Sequence, residues 1–203
     1  QQDLDAETRY IPKKVVPSLN GSFSEKVAII GAGPAGLSCA FYLAEKGYSP
    51  VIFEKNEKPG GMLRYGIPSF KLEKDVIDAE IDIIKAMGVE IKCGIEVGKD
   101  VTLDELRAQG YKAFYIAIGC QGGRKAGIPG EDAEGVMTAV DFLRTVGADE
   151  SYPVTGKAVV VGGGNVAMDA ARCALRCGAE KVSLYCLEDY DSMPMGVEDR
   201  TEC

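Results

Sequence analysis

The chain has 203 residues, 46% hydrophobic and 27% charged, the composition of a globular protein and enough for one large domain or two small ones. A formal net charge of −8 argues against nucleic acid as a ligand, because a phosphate backbone needs a basic stripe to neutralise it. There is no histidine, so imidazole general bases, Ser-His or Cys-His nucleophile pairs, and His-ligated zinc or haem iron are excluded unless another chain supplies the ring.

Residues 1–24 carry charge, Pro12, Pro17 and an Asn20-Gly21 turn without sustained periodicity, and read as a linker or arm. They lack the basic-then-apolar layout of a secretion signal, and no run of about eighteen uncharged apolar residues follows, so a cytoplasmic location and no membrane association are expected. Val27–Ile30 is a short apolar strand, followed at once by Gly31-Ala32-Gly33-Pro34-Ala35-Gly36 and a helix to about Lys46. A second strand, Val51–Phe53, ends in Glu54-Lys55. Ile77, Ile81 and Ile84 place a helix over Lys74–Met87, and Val89–Lys92 then alternates as a strand. Asp100–Ala108 reads as helical, Phe114–Ile118 as a strand stopped by Gly119, Gly122–Gly130 as a crossing segment and Asp141–Val146 as a short helix. Gly156 precedes a new strand, Lys157–Val161.

The new strand opens an internal repeat at an offset of 131 residues. Gly31 falls on Gly162, Gly33 on Gly164, Gly36 on Ala167, Gly47 on Gly178 and Val51 on Val182. One GxGxxG is a weak signal; two in register, each between a strand and a helix, are unlikely to coincide by chance. The expected fold is therefore α/β, with two Rossmann-like, doubly wound dinucleotide-binding units in tandem. Residues 25–150 are expected to form the first segment of one dinucleotide-binding domain and residues 151–203 the N-terminal part of a second.

In such a turn the first glycine permits a bend that a side chain would obstruct, the second lets the main chain approach a pyrophosphate, and the third lets the helix pack close to the strand. The helix start then offers free N–H groups to the phosphates, which requires no basic protein. A carboxylate at the end of the second strand can accept hydrogen bonds from both ribose hydroxyls. Glu54, 23 residues after Gly31, is placed for that; a solvated charge is its plainer reading. Gly60-Gly61 would let the chain pass close to a second cofactor moiety, or mark a turn only.

Gly31–Gly36, Glu54-Lys55 and Pro59-Gly60-Gly61-Met62-Leu63-Arg64-Tyr65-Gly66-Ile67-Pro68 resemble the FAD half of flavoproteins like the glutamate synthase small subunit, and Ala117-Ile118-Gly119 and Gly127–Gly130 continue the likeness. Gly162-Gly163-Gly164-Asn165-Val166-Ala167-Met168-Asp169 and the residues to Arg172 resemble the pyridine-nucleotide half of the same family, of which dihydropyrimidine dehydrogenase contains a related module. The resemblance spans roughly residues 25–195. It implies FAD on the first unit, NADH or NADPH on the second, and hydride passing from nicotinamide to flavin N5. Approximation supplies the acceleration there, and the cofactors supply the chemistry. It further implies that Gly60, Gly61, Met62 and Arg64 line the flavin side, with a surface ion pair as the alternative for Arg64. The backbone at Val97 would meet the adenine, and Ala117, Ile118 and Gly119 would run beside the FAD.

Many relatives carry Tyr-Arg-Arg after the second strand of the nucleotide unit, which would grip a 2′-phosphate. Here Tyr185-Cys186-Leu187-Glu188-Asp189 stands instead, so NADH is favoured, with Glu188 or Asp189 able to accept from an unmodified ribose; Glu188 lies 26 residues after Gly162, three beyond the register of Glu54. Only two strands of the second unit fit before an acidic tail without an apolar run, so the 203 residues are expected to be a fragment of a longer polypeptide.

The seven cysteines (39, 93, 120, 173, 177, 186 and 203) form no CxxC series, so no metal site is expected and all are read as reduced thiols. Cys173 and Cys177 read as small residues one turn apart on a buried helix face. The expected function is an oxidoreductase module that passes hydride from NAD(P)H to FAD and electrons on to a partner domain or subunit, an iron–sulfur protein being one candidate. The alternatives are a nucleotide-binding fragment without turnover, and an FAD enzyme acting directly on a small substrate.

Overall fold

The computed structural model describes residues 23–149 and 151–201, so the expected arm lies, but for its last two residues, outside the described residues, as does Cys203. Two compact units emerge: residues up to 64 together with 72–120, and residues 65–71 together with those from 121 on.

The first unit alternates strand and helix: β1 (Lys26–Ile30), α1 (Pro34–Glu45), β2 (Val51–Glu54), α2 (Met62–Tyr65, its last residue already in the second unit), α3 (Lys74–Ala86), β3 (Glu90–Cys93), α4 (Leu103–Ala108) and β4 (Tyr111–Ile116). Its four strands form a parallel sheet in the order β3-β2-β1-β4, so the order reverses beside β1. Ile29 and Ile52 point into one cluster with Leu37, Ala40 and Ala44 of α1 and Ile77 and Ile81 of α3. Ala28, Ile30 and Phe53 point into another with Leu106 and Tyr111. Both faces of β1 are covered, which is why it reads as an unbroken apolar run rather than an alternation.

Element boundaries move from their expected places, at α4 for an identifiable reason. The helix expected from Asp100 starts at Leu103, because Thr102 caps it: the Glu105 N–H donates to Thr102 Oγ1 at 3.2 Å and the Thr102 N–H to Glu105 Oε2 at 2.7 Å. The bond from the Thr102 N–H, and after it one from the Thr102 hydroxyl to the same Oε2 at 2.9 Å, hold the exposed Glu105 carboxyl below its ordinary pKa. Asp100 instead accepts from the Glu96 N–H at 2.8 Å. The strand expected over Phe114–Ile118 begins at Tyr111 and ends at Ile116, although the Ala117 N–H still donates to Ile30 O at 2.8 Å.

The second unit holds α5 (Ala139–Ala148), β5 (Lys157–Val161), α6 (Asn165–Arg176), β6 (Lys181–Tyr185) and α7 (Val197–Thr201). β5 and β6 pair in parallel. Leu143 and Val146 of α5 pack on Cys173 of α6, with Cys177 half-buried beside them, so this thiol pair lies in a helix seam. That packing places α5, counted with the first domain in the sequence, in the second unit. Residues 65–71 join it too: Lys71 pairs with Asp169 at 2.6 Å and Asp199 at 2.9 Å, and Phe70 lies under the Arg176 guanidinium at 4.2 Å. The acidic tail contributes α7 and the buried Met195, neither of which an apolar run announces. Among the described residues no helix is long and apolar enough to cross a membrane.

Candidate dinucleotide cradles

The first turn leaves β1 with the Gly31 N–H donating to Phe53 O at 2.8 Å. Gly31 sits at φ +106°, and a Cβ there would lie 2.9 Å from the Ala117 carbonyl carbon, so the backbone just past β4 closes against it and only glycine fits. A Cβ on Gly36 would collide with the Gly31 carbonyl oxygen and come within 3.2 Å of Ile29, which is the close helix–strand approach expected of the third glycine. Gly33 is the N-cap of α1 at an ordinary φ of −79°, and Pro34 at the first helical position gives up an N–H that has no intrahelical partner. No side chain caps α1, and Pro34 and Ala35 are exposed, so the first turn presents its amides outward.

Glu54 is not a solvated charge. It is 4% exposed; its Oε2 accepts from the Ala32 N–H at 2.7 Å and its Oε1 from Asn56 N and Nδ2 at 2.8 and 2.6 Å, while Lys55 is exposed. A buried carboxylate held by three hydrogen bonds is fixed in direction, with about one acceptor site left over.

Gly60 and Gly61 are likewise more than a turn. The Gly60 N–H donates to Ala32 O at 2.8 Å, and a Cβ on Gly61 would lie 2.6 Å from Gly33 Cα. Met62 is half-buried at the start of α2. Arg64 is 7% exposed; its Nε donates to Pro59 O at 2.6 Å and its Nη2 pairs with Asp78. The ion pair considered from the sequence is therefore present but buried on the arginine side, and the guanidinium serves the loop's own backbone. Ala117 and Ile118 come to Gly31, whereas Gly119, at φ +70°, has no neighbour within 4 Å of a Cβ position. Val97 is half-buried, bridges to Val101 and packs beside the Ala28–Phe53 cluster.

The second turn repeats the first in a looser form. The Gly162 N–H donates to Tyr185 O at 2.8 Å, and Gly164 is the N-cap of α6 with nothing within 4 Å of its Cβ position. Ala167 replaces the third glycine because its methyl stands 3.5 Å from the Cβ position of Gly162, ordinary contact. Asn165 and Val166 are exposed; Asn165 Oδ1 accepts from the Gly196 N–H at 2.8 Å, and the Met195 N–H donates to Gly163 O at 3.1 Å. Asp169 is buried and faces Lys71. Burial works against the Lys71 charge, but the hydrogen bonds and charges of Asp169 and Asp199 outweigh it and leave the ammonium pKa raised.

One expectation about the repeat is corrected. Ala28 pairs with Val51 in the first sheet, but Val159, its counterpart, pairs with Ser183, not Val182. One extra residue between α6 and β6 shifts the register, so Cys186 occupies the place of Glu54, and a Cβ on Gly163 would lie 3.0 Å from Cys186 Cβ. Glu188 is thus two positions beyond, not three, and its Oε2 returns to within 3.3 Å of that same point. Asp189 is committed to a turn, accepting from Ser192 N and Oγ at 2.9 and 2.6 Å, the side-chain bond first among the causes that lower its pKa.

Residues 25–199 match the family described as pyridine nucleotide-disulphide oxidoreductase. The chain belongs to that family. This pyridine nucleotide-disulphide oxidoreductase is 49% identical over 173 residues to the beta subunit of the NADP(+)-dependent formate dehydrogenase of Moorella thermoacetica, covering 84% of this chain and 24% of that one. It is 40% identical over 204 residues to the small chain of glutamate synthase [NADPH] from Escherichia coli (strain K12), covering 92% and 43%. That agrees with the resemblance found in the glycine motifs. The chain thus spans less than half the length of these relatives. Mycobacterium tuberculosis FprA in complex with NADPH shares the α/β fold at a TM-score of 0.74 and 24% identity, over 86% of this chain and 46% of that one.

Proposed function

We propose that this chain is the electron-input part of an oxidoreductase, binding FAD at the first cradle and NADH or NADPH at the second and delivering electrons to a partner domain or subunit. The observation that carries this is the duplication of strand, glycine N-cap and uncapped helix start, with nothing nearer than 3.8 Å to a Cβ on Gly33 and nothing within 4 Å of one on Gly164. A pyrophosphate suits both places: each offers helix amides and a glycine Cα where a side chain would intrude. Gly31, Gly33, Ala35 and Gly36 would hold the FAD diphosphate, Glu54 its ribose, and Gly60, Gly61 and Met62 the flavin side. Ala117–Gly119 would run alongside and Val97 meet the adenine. Gly162, Gly164, Asn165, Val166 and Ala167 would hold the second diphosphate. When bound, the flavin would accept a hydride and release electrons singly or in pairs. The chain's task is to fix and desolvate the two sites, and no histidine is needed for that.

The two units are read as tandem Rossmann-like units, the second incomplete, because Val159 and Val161 of β5 are 63% and 68% exposed where β1 is covered. NADH is the favoured nucleotide, although both relatives named above carry NADP(H) in their names. Glu188 returns its carboxylate to the second turn, where a 2′-phosphate would be repelled and a free ribose hydroxyl would find an acceptor. The partner is an electron acceptor, an iron–sulfur protein among the candidates, and the reaction is placed in the cytoplasm, where thiols stay reduced.

Anaerobic addition of nucleotide to the FAD-loaded chain tests the reading. Bleaching of the flavin band, faster with NADH than NADPH, is expected, with Glu188→Gln narrowing the ratio. Colour without bleaching would favour a flavin acting directly on a substrate, and failure to take up flavin would contradict the proposal.

A further inference from the structure

We infer that Asp78 and Arg64 form a latch that positions the first cradle, a role that rests on the flavin reading of that site and adds Asp78 to it. The Pro59–Gly60 peptide unit is gripped on both sides. Its carbonyl accepts from Arg64 Nε at 2.6 Å, and its N–H donates to Ala32 O at 2.8 Å. Ala32 in turn donates its own N–H to Glu54 Oε2 at 2.7 Å. A continuous line of hydrogen bonds therefore runs from Asp78 on α3, through the Arg64 guanidinium and one peptide plane, to the glycine turn and the carboxylate beside it.

Burial makes the line consequential. Arg64 is 7% exposed, and a guanidinium removed from water needs charged or carbonyl partners. Asp78, 54% exposed on its side chain, is the charged partner, and Pro59 O the neutral one. The space around the peptide leaves little choice of conformation. Gly60 sits at φ +126°, and a Cβ on it would be 3.1 Å from Arg64 Cβ and 3.2 Å from Ile77 Cγ2. Gly61, next along, lies against Gly33, the N-cap of α1. Turning the Pro59–Gly60 plane would carry Gly61 away from Gly33 and release Ala32 O, so the wall of the cradle and the aim of Glu54 would change together. Arg64 and Asp78 are positioning residues here; neither is required to touch the cofactor.

The test uses the full chain and three variants, Asp78→Asn, Asp78→Glu and Arg64→Lys, read by FAD titration through flavin fluorescence, amide exchange at Gly60 and thermal melting. Asp78→Asn and Arg64→Lys should each weaken FAD binding about tenfold, the loss expected when a partly buried charged hydrogen bond is cut. Combined, they should lose little more than either alone. Asp78→Glu, which keeps the carboxylate, should remain within about threefold of the parent. The Gly60 amide should exchange faster in the first two variants, and NADH binding should not change. Unaltered FAD affinity and Gly60 exchange in Asp78→Asn would overturn the inference. So would equal losses in Asp78→Asn and Asp78→Glu that follow a fall in melting temperature. If the parent takes up no flavin, the flavin reading fails separately, and Gly60 exchange alone decides whether the latch holds the loop.

Discussion

β1, Lys-Val-Ala-Ile-Ile, and β5, Lys-Ala-Val-Val-Val, open the two units with nearly the same apolar run, yet their surroundings differ. Ile29 and Ala28 are fully buried on opposite faces of the first sheet, whereas Val159 and Val161 are more than half exposed on one face of the second. The turns that follow differ in the same sense: Gly31 and Gly36 are crowded by backbone, Gly162 and Gly164 are not. An unbroken apolar strand therefore states how many faces it is suited to bury, and the contrast identifies where in this molecule cover is realised and where it is not.

Substitutions can break this comparison. Leu106→Ala, which empties a fully buried site on the second face of the first sheet, should cost about 2–5 kcal/mol in urea unfolding. Gly36→Ala should cost roughly 1–3 kcal/mol, since its Cβ meets backbone that cannot step aside, although alanine is the natural residue at the matching position 167. Thr102→Ala, which removes the cap of α4, should cost about 1 kcal/mol in the same assay. Val159→Thr should stay within about 0.5 kcal/mol, and a core-like loss there would show that the face is covered. Residues 65–71 should loosen in alkali: with its pKa raised, the Lys71 contribution is complete below the ordinary lysine value near about 10.4 and is lost as pH rises through the folded one. Amide exchange at Phe70 and Lys71 should follow that course.

The first unit was legible because its signals are local: glycines at fixed spacing, a carboxylate at a strand end, isoleucines at helical spacing. A carboxylate at a strand end is legible at Glu54; its burial and its hold on the Ala32 N–H are not, since Ala32 lies 22 residues away. Asp78 carries no signal in the sequence because it is one acid among several on α3 and acquires meaning only from Arg64, fourteen residues away. The shifted register of β6 was hidden by Val182, an apolar residue that matches Val51 in type while Ser183 takes its place in the sheet. The tail is illegible in the sequence because Met195 and Gly196 dock through hydrogen bonds from their backbone N–H groups to Gly163 O and Asn165 Oδ1, which leave no hydrophobic pattern.

Gly33 and Gly164 are both helix N-caps with room for a side chain, and serine caps a helix at least as well as glycine. Replacing each with serine and measuring FAD and NADH stoichiometry by equilibrium dialysis asks directly whether there are two separate sites. The account predicts one of each per parent chain, flavin lost in Gly33→Ser with NADH kept, and the reverse in Gly164→Ser. Both ligands lost together, or both retained in either variant, would contradict it.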